Sequence, residues 1–300
     1  MYTQIDANKR RTTVLITIFI ALIVAMGYAY SLYSGIDPFV AMTAALIFST
    51  VMALFSYYTG DKIALATAGA QEITKKTNLY LYNIVENLCI TAGMKPTPRV
   101  YIIDDPAINA FATGRDPEHA SIAVTTGALS KLENEELEGV LAHELSHIKN
   151  YDIRLMTIVI VLCGAIMLIT HMLQFGGAGR SRSNDDEKSG LGSVLAILGI
   201  VVIILSPIIA ELIKLAISRR REFLADASGA LLTRYPEGLA RALEKIRDTN
   251  QPMSSANQAT AHLYLDNPFR AAGSKISNLF STHPPLDERI KALRNMGQAK

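Results

Sequence analysis

In the stretch GVLAHELSHIKNYD, residues 139–152, two histidines stand four residues apart and a glutamate follows the first. On a helix His143 and His147 fall one turn apart on one face, so both imidazoles can reach a single ion at about 2.0–2.1 Å. Glu144 is rotated about 100° from His143, beside that face, where it can touch a water on the ion without ligating the ion. This H-E-x-x-H spacing suits metal-activated hydrolysis, with the glutamate as general base. A catalytic zinc also needs a third protein ligand and an open position for water.

Of the other four histidines, His171 falls inside an apolar run, while His119, His262 and His283 fall in loops. A better third ligand stands in SRRREFLADASGA, residues 218–230, where Glu222 and Asp226 are four apart on one helical face. Glu222 could ligate zinc. Asp226 could accept the N–H of a ligand histidine and fix its tautomer. The competing reading is an exposed helix on which Arg221 and Glu222 pair locally. His283, in the THPP loop, could donate to a developing oxyanion, or it could pack against or cap a helix starting near Pro285.

The elements that must position these residues are legible in outline. Asn134, followed by Glu135 and Glu136, suits a helix start, because an Asn cap and early acids satisfy free N–H groups and the positive helix end. That helix carries the paired histidines. Residues 64–94 show helical spacing, with Leu79, Tyr82, Ile84, Val85 and Leu88 on one face, until AGMKPTP breaks it. Three short apolar runs, RVYII (99–103), NAFAT (109–113) and SIAVT (121–125), read as strands. NAFAT could be an edge that aligns an extended peptide by adding a strand, or a plain structural hairpin.

Half of the 300 residues are apolar, and mean hydropathy is positive. Four apolar runs, at 14–30, 39–58, 155–173 and 191–210, approach the length of about 20 residues that a helix needs to cross a bilayer. The first, behind Lys9, Arg10 and Arg11, reads as an uncleaved anchor, because YAYSLYSG lacks a small-x-small cleavage site. Basic residues at the N-terminus and in SRRR (218–221), against none in 31–38, predict that these ends are cytoplasmic. Arg180, Arg182 and Lys188 in the third loop fit this less well, although Asp185, Asp186 and Glu187 accompany them. Glu211 and Lys214, at the end of the fourth run, read either as an interfacial ion pair or as the lining of a groove toward the metal.

The implied organisation is a two-span anchor (1–60), a first part of a cytoplasmic domain (61–154), a membrane hairpin (155–218) and a second part (219–300). A net charge of +2 with scattered basic residues argues against nucleic-acid binding. Cys89 and Cys163 form no metal-type pair and no disulfide framework.

Taken in order, LAHELSHIKNYD, SRRREFLADASGA and STHPPLDERI, with a hydrophobic hairpin between the first two and INAFATG at 108–114, resemble the HtpX family of membrane-bound zinc metalloproteases. The likeness covers nearly the whole chain. It implies a mainly α fold with a small β-sheet, in which four transmembrane helices carry a cytoplasmic gluzincin-type protease domain. It also implies one zinc on His143, His147 and Glu222, Glu144 as the catalytic glutamate, and a role in the quality control of membrane or misfolded proteins. A four-span transporter and an inactive metal-binding scaffold are the rival readings.

Overall fold

The computed structural model describes residues 2–159, 219–249, 251–253, 264–265 and 284–298. Two long helices come first, α1 (Tyr2–Ser34) and α2 (Pro38–Thr67). Asp37 caps α2 by accepting the N–H groups of Phe39 and Val40, and Pro38 suits the first helical position. Ile5–Leu32 and Pro38–Thr67 are each long and apolar enough to cross a membrane. Their outer faces bear large exposed apolar side chains, Leu32 at 69% and Phe39 at 78% among them, a surface suited to lipid. Small residues let the two helices approach closely: a Cβ on Gly27 would lie 2.8 Å from the Ala45 Cβ. The third run is described only as far as residue 159, where 152–159 are helical. The rest of it, the fourth run, His171, Glu211 and Lys214 lie outside the described residues.

The expected helix over 64–94 is in fact two helices with a strand between them. α2 continues to Thr67, Gly69 turns the chain with φ +65°, and β1 (Gln71–Ile73) follows. α3 (Leu79–Ala92) then starts anew beneath Asn78, whose side chain accepts the Leu81 N–H, and it stops at left-handed Gly93. Three residues are too few for a period to register, and β1 owes its existence to pairing with the next strand.

β2 (Arg99–Ile103), β3 (Ala110–Gly114) and β4 (Ala120–Thr125) complete a sheet of order β1-β2-β4-β3. Only β2 and β4 run parallel. The three expected strands are therefore present, each within one residue of its predicted bounds, and β3 is an edge.

A short α4 (Thr126–Lys131) leads into α5 (Asn134–Lys149), the helix of the paired histidines. Its cap is Glu133 rather than Asn134. The Glu136 carboxylate reaches back to accept the Glu133 N–H at 2.8 Å, while Asn134 is already helical and bonds the Glu138 side chain. The later elements are α6 (Arg219–Thr233), α7 (Pro236–Thr249) and α8 (Leu286–Gln298).

α5 is the centre of the domain. It packs against α3, β3, α6 and α7, and 12 of its 16 residues are buried, so any polar group it carries must find a partner inside the protein. Leu141, Leu145 and Ile148 join Leu239 and Leu243 of α7 in the main core. Two glycines set the helix spacing. A Cβ on Gly139 would stand 2.6 Å from the Leu239 amide nitrogen, and one on Gly229 of α6 would stand 3.0 Å from the His143 amide nitrogen. The first contact is backbone against backbone, with no flexible side chain to yield. Gly139→Ala should therefore lower stability by about 1–3 kcal/mol, as overpacking does, and a denaturation midpoint in detergent equal to the wild type's would contradict that account.

Candidate metal centre

α5 and α6 cross where Gly229 touches the backbone at His143, and this crossing brings three side chains together. The Nε2 atoms of His143 and His147 lie 3.1 Å apart. Glu222 Oε2 is 3.7 Å from the first, and Oε1 is 3.5 Å from the second. Ligands about 2.0–2.1 Å from a tetrahedral zinc stand roughly 3.3–3.4 Å from one another, and the observed spacings bracket that value. The three residues are the group of possible metal ligands found among the described residues, and all three are buried.

The other ring nitrogen of each histidine faces a carboxylate. His143 Nδ1 donates to Asp226 Oδ1 at 2.9 Å, and His147 Nδ1 donates to Asp152 Oδ2 at 3.1 Å. A proton held at Nδ1 leaves the Nε2 lone pair directed at the gap, the tautomer that a metal requires. Each carboxylate is held in turn. Arg289 of α8 grips both oxygens of Asp226, at 2.9 and 2.7 Å, and its Nη1 reaches the Leu265 carbonyl at 3.3 Å. Asp152 Oδ1 receives Arg221 Nη1 at 3.3 Å and Asn8 Nδ2 at 2.7 Å.

Burial makes the electrostatics decisive. His143, Glu144, His147, Asp152, Arg221, Glu222, Asp226 and Arg289 are each no more than 5% exposed. Among the described residues the site holds four carboxylates and two guanidiniums, a formal net charge of −2 with neutral imidazoles, which one divalent cation would balance. Burial resists a proton on His147, yet Glu222, Asp152 and Glu144 together outweigh it and raise that imidazole to about 9. Burial would likewise raise Asp226, but Arg289 and His143 hold its carboxyl down at about 2. The site therefore concentrates negative potential on the ligand gap, and the donor set fits a zinc-type ion.

All the expected site residues that are described meet here: His143, Glu144, His147, Glu222 and Asp226. Arg221 reaches Asp152 at 3.3 Å and is itself buried, so the helix is not the exposed one of the competing reading. His119 is elsewhere, paired with Asp116 on the surface. His283 and His262 lie outside the described residues. Sequence reasoning passed over Asp152, Arg289 and Asn8, and gave Arg221 only a local partner in Glu222. Asp152 was within reach, since a carboxylate five residues after His147, just past the helix end, can turn back beneath it. Tyr151, with φ 61°, makes that turn.

A model of peptidase family M48 matches residues 75–297. Relatives described as Protease HtpX homolog extend the likeness to the whole chain. That of Dictyoglomus thermophilum is 46% identical over 297 residues, 99% of this chain and 95% of its own. That of Streptococcus uberis is 44% identical over 301 residues, 99% of this chain and 100% of its own. The chain belongs to the HtpX proteases of peptidase family M48. As an M48 peptidase it is a membrane metalloprotease, a hydrolase of peptide bonds. The crystal structure of S. mikatae Ste24p shares the fold, with a TM-score of 0.51 at 19% identity, over 98% of this chain and 66% of that one.

Among the described residues, the grip of Arg289 on Asp226 is the most buried Arg–carboxylate pair of this HtpX protease. Arg289→Met should leave Asp226 a buried, poorly compensated anion and cost about 3–5 kcal/mol of stability. It should also weaken metal binding about 10–100-fold. A chelator-competition titration that returns wild-type affinity would refute the second effect.

Proposed function

We propose that the metal of this protease is one zinc ion held by His143, His147 and Glu222, and that Glu144 is its general base. The observation that carries the proposal is the convergence of two Nε2 atoms and one carboxylate at 3.1–3.7 Å, with each Nδ1 anchored on an aspartate. Zinc bound there would supply a Lewis acid that polarises the scissile carbonyl and acidifies the attacking water. Glu144, buried beside His147, takes the proton of that water on a carboxylate oxygen and delivers it to the leaving amine. Asp226 and Asp152 each hold a proton at Nδ1, which leaves Nε2 as the nitrogen that a bound metal would take. His283 as a donor to the developing oxyanion belongs to the same proposal.

An extended peptide would lie along β3, an edge strand of the sheet that is buried along its length and packs against α5. Asn109 accepts from the Thr125 N–H toward β4, so by antiparallel alternation Ala110, Ala112 and Gly114 face outward. The Ala110 carbonyl already accepts from the Leu265 N–H, and the Gly114 N–H donates to Thr157 Oγ1. Ala112, between them, is the position where a substrate strand would pair. Main-chain pairing is indifferent to side chains, which suits a broad set of protein substrates.

The substrates we propose are membrane or misfolded proteins, met at the cytoplasmic face in membrane protein quality control, with four spans in all. Support comes from the basic residues Lys9, Arg10 and Arg11 at the start of α1. Asn8 beside them touches Asp152, so the basic end of α1 and the metal centre share one side.

Two variants and a chelator test the assignment. Glu144→Gln should keep the metal and lose cleavage by several orders of magnitude, and proteolysis by the purified variant would sink the base assignment. Glu222→Ala should lower zinc stoichiometry or affinity, and zinc content equal to the wild type's would reject the third ligand. Chelator treatment should abolish cleavage and zinc should restore it, whereas chelator-resistant cleavage would reject the metal mechanism.

A further inference from the structure

The first membrane helix reaches the metal centre. Asn8 of α1 is 1% exposed. Its Nδ2 donates to Asp152 Oδ1 at 2.7 Å and to the Asn150 carbonyl at 2.9 Å. Both acceptors are oxygens, which fixes the carboxamide orientation, because the flipped form would press Oδ1 against two acceptors. Oδ1 itself has no hydrogen-bond partner among the described residues, so the side chain is held by its donor end alone. The same face of α1 continues as Leu15, Phe19 and Ile23, packed on Leu155, Ile158 and Val159 just after the metal helix. That apolar seam holds α1 against the segment that leaves α5, and the polar link of Asn8 to Asp152 is separate from it.

The two ligand histidines are thus supported from different places. Asp226, behind His143, is held by Arg289 of α8. Asp152, behind His147, opens the helical stretch that follows the turn after α5, and among the described residues its donors are His147, Arg221 and Asn8. Asn8 makes the shorter of the two contacts to Oδ1, while Arg221 stands 3.3 Å away. Without Asn8, nothing on the α1 side opposes a swing of the carboxylate toward the guanidinium and away from His147.

We propose that Asn8 is a positioning residue of the metal centre, which through Asp152 fixes the ring orientation and tautomer of His147. The first membrane helix is then part of the metal-binding machinery as well as an anchor. The proposal rests on His143, His147 and Glu222 being the ligands.

The test uses the full-length protein in detergent or nanodiscs, stripped of metal and titrated with zinc against a chelator. A cobalt-substituted sample reports the ligand field by its visible absorption. Asn8→Ala should weaken zinc binding about tenfold, at the low end of the effect of groups behind metal ligands, alter the cobalt spectrum and lower kcat with little change in KM. Asn8→Asp, equal in size, sets a carboxylate against Asp152 and should lose more. Adding Asp152→Asn to Asn8→Asp restores a donor–acceptor pair and should recover part of the loss. Leu15→Ala loosens the same seam without touching the polar link, so it should lower thermal stability and leave zinc affinity unchanged. Wild-type zinc affinity in both Asn8 variants overturns the proposal, and so does a loss in Leu15→Ala equal to that in Asn8→Ala. If zinc binding by the wild type is indifferent to His147→Ala, the ligand assignment fails first and this proposal falls with it.

Discussion

Eight ionisable or metal-ligating side chains are packed beneath the surface of this domain, and the need to compensate them organises everything around it. A carboxylate removed from water is tolerated only beside opposite charge or several donors. Here the compensation is drawn from four separate parts of the chain: Asn8 on α1, Arg221 on α6, Arg289 on α8, and the histidines on α5. None of these helices could slide relative to α5 without exposing or orphaning a charge. The polar network therefore fixes the relative placement of the helices, while the apolar core of Leu141, Leu145, Leu239 and Leu243 supplies the bulk of the burial.

The parts of this arrangement that sequence could reveal are those that obey a local period. The one-turn spacing of His143 and His147 and the same spacing of Glu222 and Asp226 put ligand and supporting carboxylate on predictable faces. β2, β3 and β4 were legible because short apolar runs stood between turn residues. What escaped was set by distance in the chain. Arg289 grips an aspartate 63 residues away, and Asn8 grips one 144 residues away, so no window of local pattern contains either pair. β1 was lost inside a helical pattern, because three residues paired to β2 carry no signal of their own. The α5 cap moved by one residue because Glu136 could reach back to Glu133, a choice between neighbouring polar residues that composition alone does not decide.

Membership of the HtpX proteases agrees with the two apolar helices at the start of the chain, and the structure adds that these helices are not a detached tether. α1 packs along the helical stretch that leaves α5, from Leu15 through Ile23, so the membrane part and the metal-binding part share a continuous seam. Chain segments far apart in sequence thus become one wall, with lipid-facing side chains such as Leu32 toward the far end of α1 and Asn8 near its start.

The close approach at Gly229 sets the reach of Glu222 toward the paired histidines. Because backbone meets backbone where α6 crosses α5, the two helices already stand near their limit of contact, and Glu222 can be drawn no nearer to His143 and His147 by further packing. Parting the helices would open voids in a core that tolerates few. The crossing therefore behaves as a caliper of fixed gauge. An ion that wants ligands farther apart, such as calcium with its longer bonds to oxygen, would have to deform the protein to bind at this group, so under the proposed ligand set part of the discrimination between metals would reside in a missing methyl group some way along the helix.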